Sequence, residues 1–282
     1  MSSSPSSSPR KSSRHGAEIP TLGLGTGGLG EDCARIVAAA LAAGYRHIDT
    51  ARKYGSEPGV GEAIRAARVP RNEIFLTTKV SHEHLHAGDF ERSTQASLRA
   101  LGLDQVDLLL VHWPAPDMPL RETMGALAEM KRRGLTRHIG VANFNIALLD
   151  EAIRLCPEPL VALQAEYHPY LDQSKVLAAC RRHGLIFIAY CPLARGRLID
   201  DPVIAEIART KGRTAAQIAL RWLIQRDGVA AIPRSSSAER VAENIDVFGF
   251  ALAADEMKRI AALKRPNGRV VNPVGRVSAW DV

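Results

Sequence analysis

Eight short apolar runs, most of them followed by a stretch of helical periodicity, constrain this chain more than any other feature. The runs cover residues 21–25, 45–49, 74–79, 106–112, 138–142, 160–166, 186–190 and 229–232. Helix-period patterns fall at 32–43, 58–67, 89–101, 120–133, 146–155, 173–183 and 215–225. Several stop at a glycine (Gly44, Gly102, Gly134, Gly184), the residue type that closes a helix in the left-handed conformation. Strands alternating with helices imply a parallel sheet. Eight such units in 282 residues predict an α/β protein built as a single (β/α)8 TIM barrel.

No shift in composition marks a second folded domain. Residues 1–16 read as a disordered Ser/Pro-rich tail without the apolar segment of a secretory signal. Residues 17–282 read as the barrel, with a C-terminal tail after about residue 266. At 46% apolar and 24% charged residues, the chain is neither disordered throughout nor fibrous. No apolar run approaches the ~18 residues that a membrane span needs. Part of the net charge of +7 sits in the tail at Arg10, Lys11 and Arg14, and the remainder is mixed with acids. Aromatics do not interleave with the basic residues, so neither nucleic acid nor membrane is expected as a partner. Cys33, Cys156, Cys180 and Cys191 lack metal or disulfide spacing and read as reduced thiols of a cytoplasmic protein, a monomer or weak homodimer.

In a barrel of this kind the reactive groups stand at the C-terminal ends of the strands. Those positions carry Asp49, Lys79, His112, Asn143, Gln164, Tyr190 and Arg234. A lysine closing an apolar strand is costly without a carboxylate partner, and Asp49, one strand over, is available. Tyr54 lies five residues beyond Asp49, and a nearby ammonium predicts a phenol pKa below the ordinary value of ~10. Such a tyrosine suits general-acid work on an oxygen, with His112 binding the same oxygen.

Two other patterns compete. Gly23 to Gly28 and Gly25 to Gly30 both match G-x-G-x-x-G, with Asp49 about twenty residues on, as in a dinucleotide-binding fingerprint. The strand before it is short and interrupted by Pro20, and the helix is expected only after Gly30, which favours the barrel. His82, His84 and His86 form H-x-H-x-H, read as a solvated loop after the third strand rather than a metal site.

The stretch from Asp49 to Glu57, with Lys79 and the Val-His-Trp-Pro run at His112, resembles the aldo-keto reductase family. Gly140-Val-Ala-Asn143-Phe144, the Gln164 segment, the run from Ala189 to Gly196, and Ile232-Pro233-Arg234-Ser235 with Glu239 to Asn244 extend the resemblance over residues 17 to 266. It implies NADPH-dependent reduction of small aldehydes, 2-oxoaldehydes or keto-sugars to alcohols, without a metal. Tyr54 would be the proton donor, tuned by Lys79 and Asp49, with His112 and Trp113 facing the carbonyl substrate. Asn143 and Gln164 would hold the nicotinamide carboxamide and Tyr190 would stack on its ring. Thr26, Asp49, Thr50, Cys191, Pro192, Leu193, Arg195 and Gly196 would complete the near part of the cofactor site. Pro233, Arg234, Ser235, Ser236, Arg240, Glu243 and Asn244 would surround its 2′-phosphate and adenine, guanidinium forks matching phosphate. The chain departs from the family pattern at Cys191, Ala194 and Arg234, and at Gly27, where many relatives carry tryptophan. Its short segment after His112 and short C-terminus are closer to the bacterial diketogluconate- and methylglyoxal-reducing members. A cofactor-sensing barrel without catalysis and a metal-dependent barrel hydrolase are the rival readings.

Overall fold

The computed structural model describes residues 9–277 and 279–281. Eight parallel strands follow one another around the sheet: β3 (Leu24–Gly25), β4 (His47–Asp49), β5 (Phe75–Val80), β6 (Val106–Val111), β7 (Thr136–Ala142), β8 (Leu160–Glu166), β9 (Ile186–Tyr190) and β10 (Val229–Ala231). The expected run 21–25 is divided. Its last two residues pair with β4, while Leu22 bridges Ala231 in parallel and closes the ring. The alternation of strand side chains produces two cores. Leu108, Leu110, Ile186 and Ile188 fill the interior, and Leu109, Val111 and Phe187 pack outward under the helices.

The expected tail is not wholly a tail. Residues 1–8 lie outside the described residues, but β1 (Arg10–Ser12) pairs antiparallel with β2 (Glu18–Pro20). Ala17 and Ile19 are fully buried among the interior residues, and Lys11 Nζ donates to the Arg226 carbonyl at 3.0 Å. The hairpin thus plugs the end of the barrel where the strands begin. Its polar composition hides this, because only two apolar side chains enter the interior.

The helices are α1 (Cys33–Ala42), α2 (Glu57–Ala66), α3 (Ala87–Leu101), α4 (Leu120–Arg132), α5 (Ile146–Leu155), α6 (Ser174–His183), α7 (Pro202–Lys211), α8 (Ala215–Ile224), α9 (Ala238–Ile245) and α10 (Ala254–Ala261). The crossover from β9 to β10 carries two of them, α7 and α8. Asp201 caps α7 by accepting from the Val203 and Ile204 amides, ahead of Pro202 at its first position. Thr214 and Gln217 form a capping box at α8.

The glycine fingerprint belongs to the barrel. A Cβ on Gly23 would stand 2.7 Å from the His47 ring, and one on Gly25 would stand 3.2 Å from the Ile232 carbonyl. These glycines let neighbouring strands approach. Helix α1 begins at Cys33, beyond Gly30, so no glycine enters its first turn.

Candidate active site

Strands β4 and β5 stand side by side, which brings Asp49 and Lys79 together below the mouth of the barrel. Lys79 Nζ donates to Asp49 Oδ1 at 2.5 Å and to the Thr50 carbonyl at 2.9 Å. The other Asp49 oxygen accepts from Gln164 Nε2 at 2.8 Å. Both charges are withdrawn from water, Lys79 at 0% and Asp49 at 2% exposure, so each depends on the other. Above them, Tyr54 arrives on the single helical turn Arg52–Tyr54, with Lys79 Nζ 5.1 Å from its ring centroid. Its hydroxyl lies 3.3 Å from His112 Nε2. His112 follows β6, its amide bonded to the Val80 carbonyl.

Burial pushes the Tyr54 phenol above its ordinary range, with the Lys79 cation opposing without prevailing. This corrects the expectation of a lowered value: the site removes more hydration from the phenolate than one cation restores. Burial also works against the Lys79 ammonium, but Asp49 and Tyr54 together hold it above the usual lysine range. Burial and then the Lys79 charge keep His112 well below the usual histidine range, hence neutral. The arrangement is a neutral phenol and a neutral imidazole over a buried ion pair, suited to hydrogen-bonding a carbonyl oxygen and handing it a proton.

A cleft of about 830 Å³ opens beside Tyr54. It is lined by most of the residues expected around the cofactor: Asp49, Gln164, Tyr190, Cys191, Pro192, Leu193, Arg195, Gly196, Pro233, Arg234, Ser235, Ser236, Arg240, Glu243 and Asn244. Three others stand elsewhere. Asn143 gives its amide hydrogen to the His112 carbonyl at 2.9 Å and accepts from the Tyr190 hydroxyl at 2.7 Å. Thr26 and Thr50 are buried, both bonded to the Ser56 hydroxyl, at 3.1 and 3.0 Å. That knot of hydroxyls ties the Tyr54 loop to the strand ends below it. Trp113 packs edge-to-face on Trp280, centroids 6.3 Å apart.

The cleft also takes in Gly27, where the chain departs from the family pattern, and Ile199, Thr214 and Ala216, which sequence reasoning missed. A Cβ on Gly27 would meet Tyr54 Cζ at 3.5 Å, so the absent side chain there leaves the tyrosine ring uncovered. The Thr-x-x-Gln pattern at Thr214 and Gln217 was the available signal for that wall. The three loop histidines do not converge. His82 lies against Ser81 and His86 against Glu122, and among the described residues no three His, Cys, Asp or Glu side chains gather as for a metal.

Comparison with known proteins identifies what the chain is similar to. The model of the aldo/keto reductase family matches residues 21–265. An aldo-keto reductase of Mycolicibacterium vanbaalenii is 44% identical over 247 residues, 87% of this chain and 88% of that protein. Methylglyoxal reductase DkgB of Escherichia coli O157:H7 is 41% identical over 267 residues, 93% and 99% of the two chains. Among solved structures, one provisionally named 2,5-diketo-D-gluconic acid reductase B superposes with a TM-score of 0.94 at 46% identity, covering 97% and 98%. A Bombyx mori aldo-keto reductase in complex with NADP superposes with a TM-score of 0.87 at 32% identity, covering 95% of each chain.

Proposed function

The chain belongs to the aldo/keto reductase family, and from that premise we propose that it reduces a small carbonyl compound to an alcohol with NADPH, Tyr54 giving the proton. One observation carries the reading. The Tyr54 hydroxyl and His112 Nε2 stand 3.3 Å apart above the Lys79–Asp49 pair, beside a cleft of about 830 Å³ that runs from Tyr54 to Arg240 and Asn244. A carbonyl oxygen seated between phenol and imidazole receives a hydrogen bond from the phenol and then its proton. The Lys79 ammonium, near the ring, offsets the phenolate left behind.

The residues present fit the cofactor. The Tyr190 ring and the Gln164 amide line the cleft beside Tyr54, suiting a nicotinamide. At the far end Arg234 and Arg240 are exposed, and Ser237 caps α9 by accepting from the Arg240 amide at 3.2 Å. Two guanidinium groups and a helix N-terminus suit a 2′-phosphate. NADPH held by these residues would supply the hydride for the carbonyl carbon. Small aldehydes, 2-oxoaldehydes and keto-sugars are the proposed substrates, supported by the relatives named for methylglyoxal and diketogluconate. No described helix is long and apolar enough to cross a membrane, and four free cysteines suit the cytoplasm, where we place the protein.

The test follows NADPH oxidation with methylglyoxal and with 4-nitrobenzaldehyde, wild type beside Tyr54→Phe. Turnover by the wild type, reduced by about 10²–10⁴-fold in the variant, is the expected result. NADPH binding without turnover in either protein favours a sensing barrel and overturns the assignment.

A further inference from the structure

The His112 ring has few bonds of its own to hold it. Nε2 meets the Tyr54 hydroxyl at 3.3 Å, and Nδ1 is buried with no hydrogen-bond partner among the described residues. A working histidine is commonly oriented through its second nitrogen. Here the ring takes its place from the main chain that carries it, and that main chain lies just past the end of a strand. The ladder between β6 and β7 runs to Val111 and Val141, and Pro114, two residues beyond His112, has no N–H with which to extend it. The His112 amide still donates to the Val80 carbonyl at 2.9 Å. Its carbonyl is met by a side chain instead, Asn143 Nδ2 donating to it at 2.9 Å.

Asn143 combines the backbone and the side chain that this task needs. It follows β7, is buried, and adopts a φ of 64°, a left-handed conformation that asparagine tolerates better than most residues. Its main-chain amide donates to the Gln164 carbonyl at 2.8 Å, which fixes it against the next strand. The His112 carbonyl can only accept, so the Asn143 NH2 must face it and Oδ1 must face away. Oδ1 accepts from the Tyr190 hydroxyl at 2.7 Å. Two hydrogen bonds thus run from a ring that lines the cofactor cleft to the backbone that carries the imidazole.

We propose that Asn143, fixed by the Tyr190 hydroxyl, is a positioning residue that holds His112 in register with Tyr54. This rests on the reductase reading and deepens it: the Tyr190 ring serves the cofactor, and its hydroxyl serves the substrate oxygen through Asn143 and His112. Without that hydroxyl, Asn143 Oδ1 is a buried acceptor with no donor. The side chain then turns to find one and releases the His112 carbonyl.

The experiment is a double-mutant cycle of Tyr190→Phe and His112→Gln, read as kcat/KM for 4-nitrobenzaldehyde and as NADPH affinity. Tyr190→Phe keeps the ring, so NADPH affinity is expected to stay within about twofold while kcat/KM falls at least ~10-fold. In the His112→Gln background the same change should cost less than about twofold, because the positioned group is already gone. Equal losses in both backgrounds, or no loss in the wild type, would place the effect of the hydroxyl elsewhere and overturn the proposal. NMR of protein labelled with 15N-histidine reads the link without turnover. The His112 ring stands edge-on to Tyr54, centroids 5.4 Å apart, so its signals report where it sits. They should shift or broaden in Tyr190→Phe while those of His138, near the start of β7, stay in place. Unmoved His112 signals overturn the proposal. A wild type that binds NADPH and reduces no aldehyde, yet whose His112 signals answer Tyr190→Phe, refutes the reductase reading and leaves the positioning standing.

Discussion

The floor of the site and the rim of the cofactor cleft use charge in opposite ways. On the floor, Asp49 and Lys79 are buried and complete each other inside the chain. On the rim, Arg234 and Arg240 are exposed, and Arg234 donates to the Gly28 carbonyl. A buried pair sets the proton affinity of its neighbours whether or not ligand is present. Exposed cations contribute little to folding and most when a ligand phosphate displaces their water. The floor is therefore expected to couple stability to chemistry, and the rim to separate them.

The sharpest way to break this contrast is Asp49→Asn. It leaves the Lys79 ammonium buried without its counter-charge, so stability should fall by about 3–5 kcal/mol in urea unfolding. Turnover should fall with it, since Lys79 no longer has a fixed position under Tyr54. A loss below about 1 kcal/mol would mean that water or another carboxylate replaces Asp49, and the floor would not be the closed unit described. The rim counterpart is Arg234→Ala with Arg240→Ala. Unfolding should shift within about 0.5 kcal/mol, as for ordinary surface changes. NADPH affinity should drop about 10–100-fold while NADH changes little, because only the 2′-phosphate loses its partners. Equal weakening of both cofactors would remove the phosphate assignment.

The floor extends downward to His47, whose side chain is wholly buried and whose Nε2 meets the Thr77 hydroxyl at 3.1 Å. Burial lowers its pKa from an ordinary 6.5 to about 4. The unfolded chain thus binds a proton that the folded one refuses. Its stability contribution is intact above pH ~6.5, declines as pH falls toward about 4, and is then constant, a loss on the order of 3 kcal/mol. His47→Asn should flatten that part of the pH–stability curve, measured by denaturant midpoints. An unchanged slope would place the titration elsewhere.

Legibility in the sequence followed the same division. Strand ends such as Asp49, Lys79 and His112 were readable because charge closing an apolar run has few structural explanations. The sign of the Tyr54 shift was not, because proximity to a cation shows in the sequence and depth of burial does not. The hairpin at residues 10–20 was hidden by its serines, since two side chains, Ala17 and Ile19, do the packing. Helix α7 carried Asp201, Pro202 and Gly212 as start and stop signals, yet it adds a helix to a unit that the eightfold pattern already filled. The segment after α10 was invisible for another reason: Arg269 and Trp280 show no periodicity, and the residues they meet, Glu166 and Trp113, lie more than a hundred residues away.

The smallest expected effect lies in the loop joining floor to rim. Cys191, Ala194 and Arg195 all adopt positive φ, at 47°, 47° and 55°, without being glycine. Left-handed backbone costs a non-glycine residue about 1–2 kcal/mol. Ala194→Gly would relieve that strain, but its fully buried methyl contributes about 0.8 kcal/mol, and glycine loosens the unfolded chain by about 0.5–1 kcal/mol. The terms nearly cancel, so unfolding should move by less than about 1 kcal/mol. NADPH affinity should stay within about twofold, because turn bonds such as Gly196 to the Leu193 carbonyl remain and the rim cations are untouched. A tenfold loss of affinity would show that the strained backbone, rather than the exposed guanidinium groups, holds the cofactor, and the contrast between floor and rim would have to be redrawn at this loop.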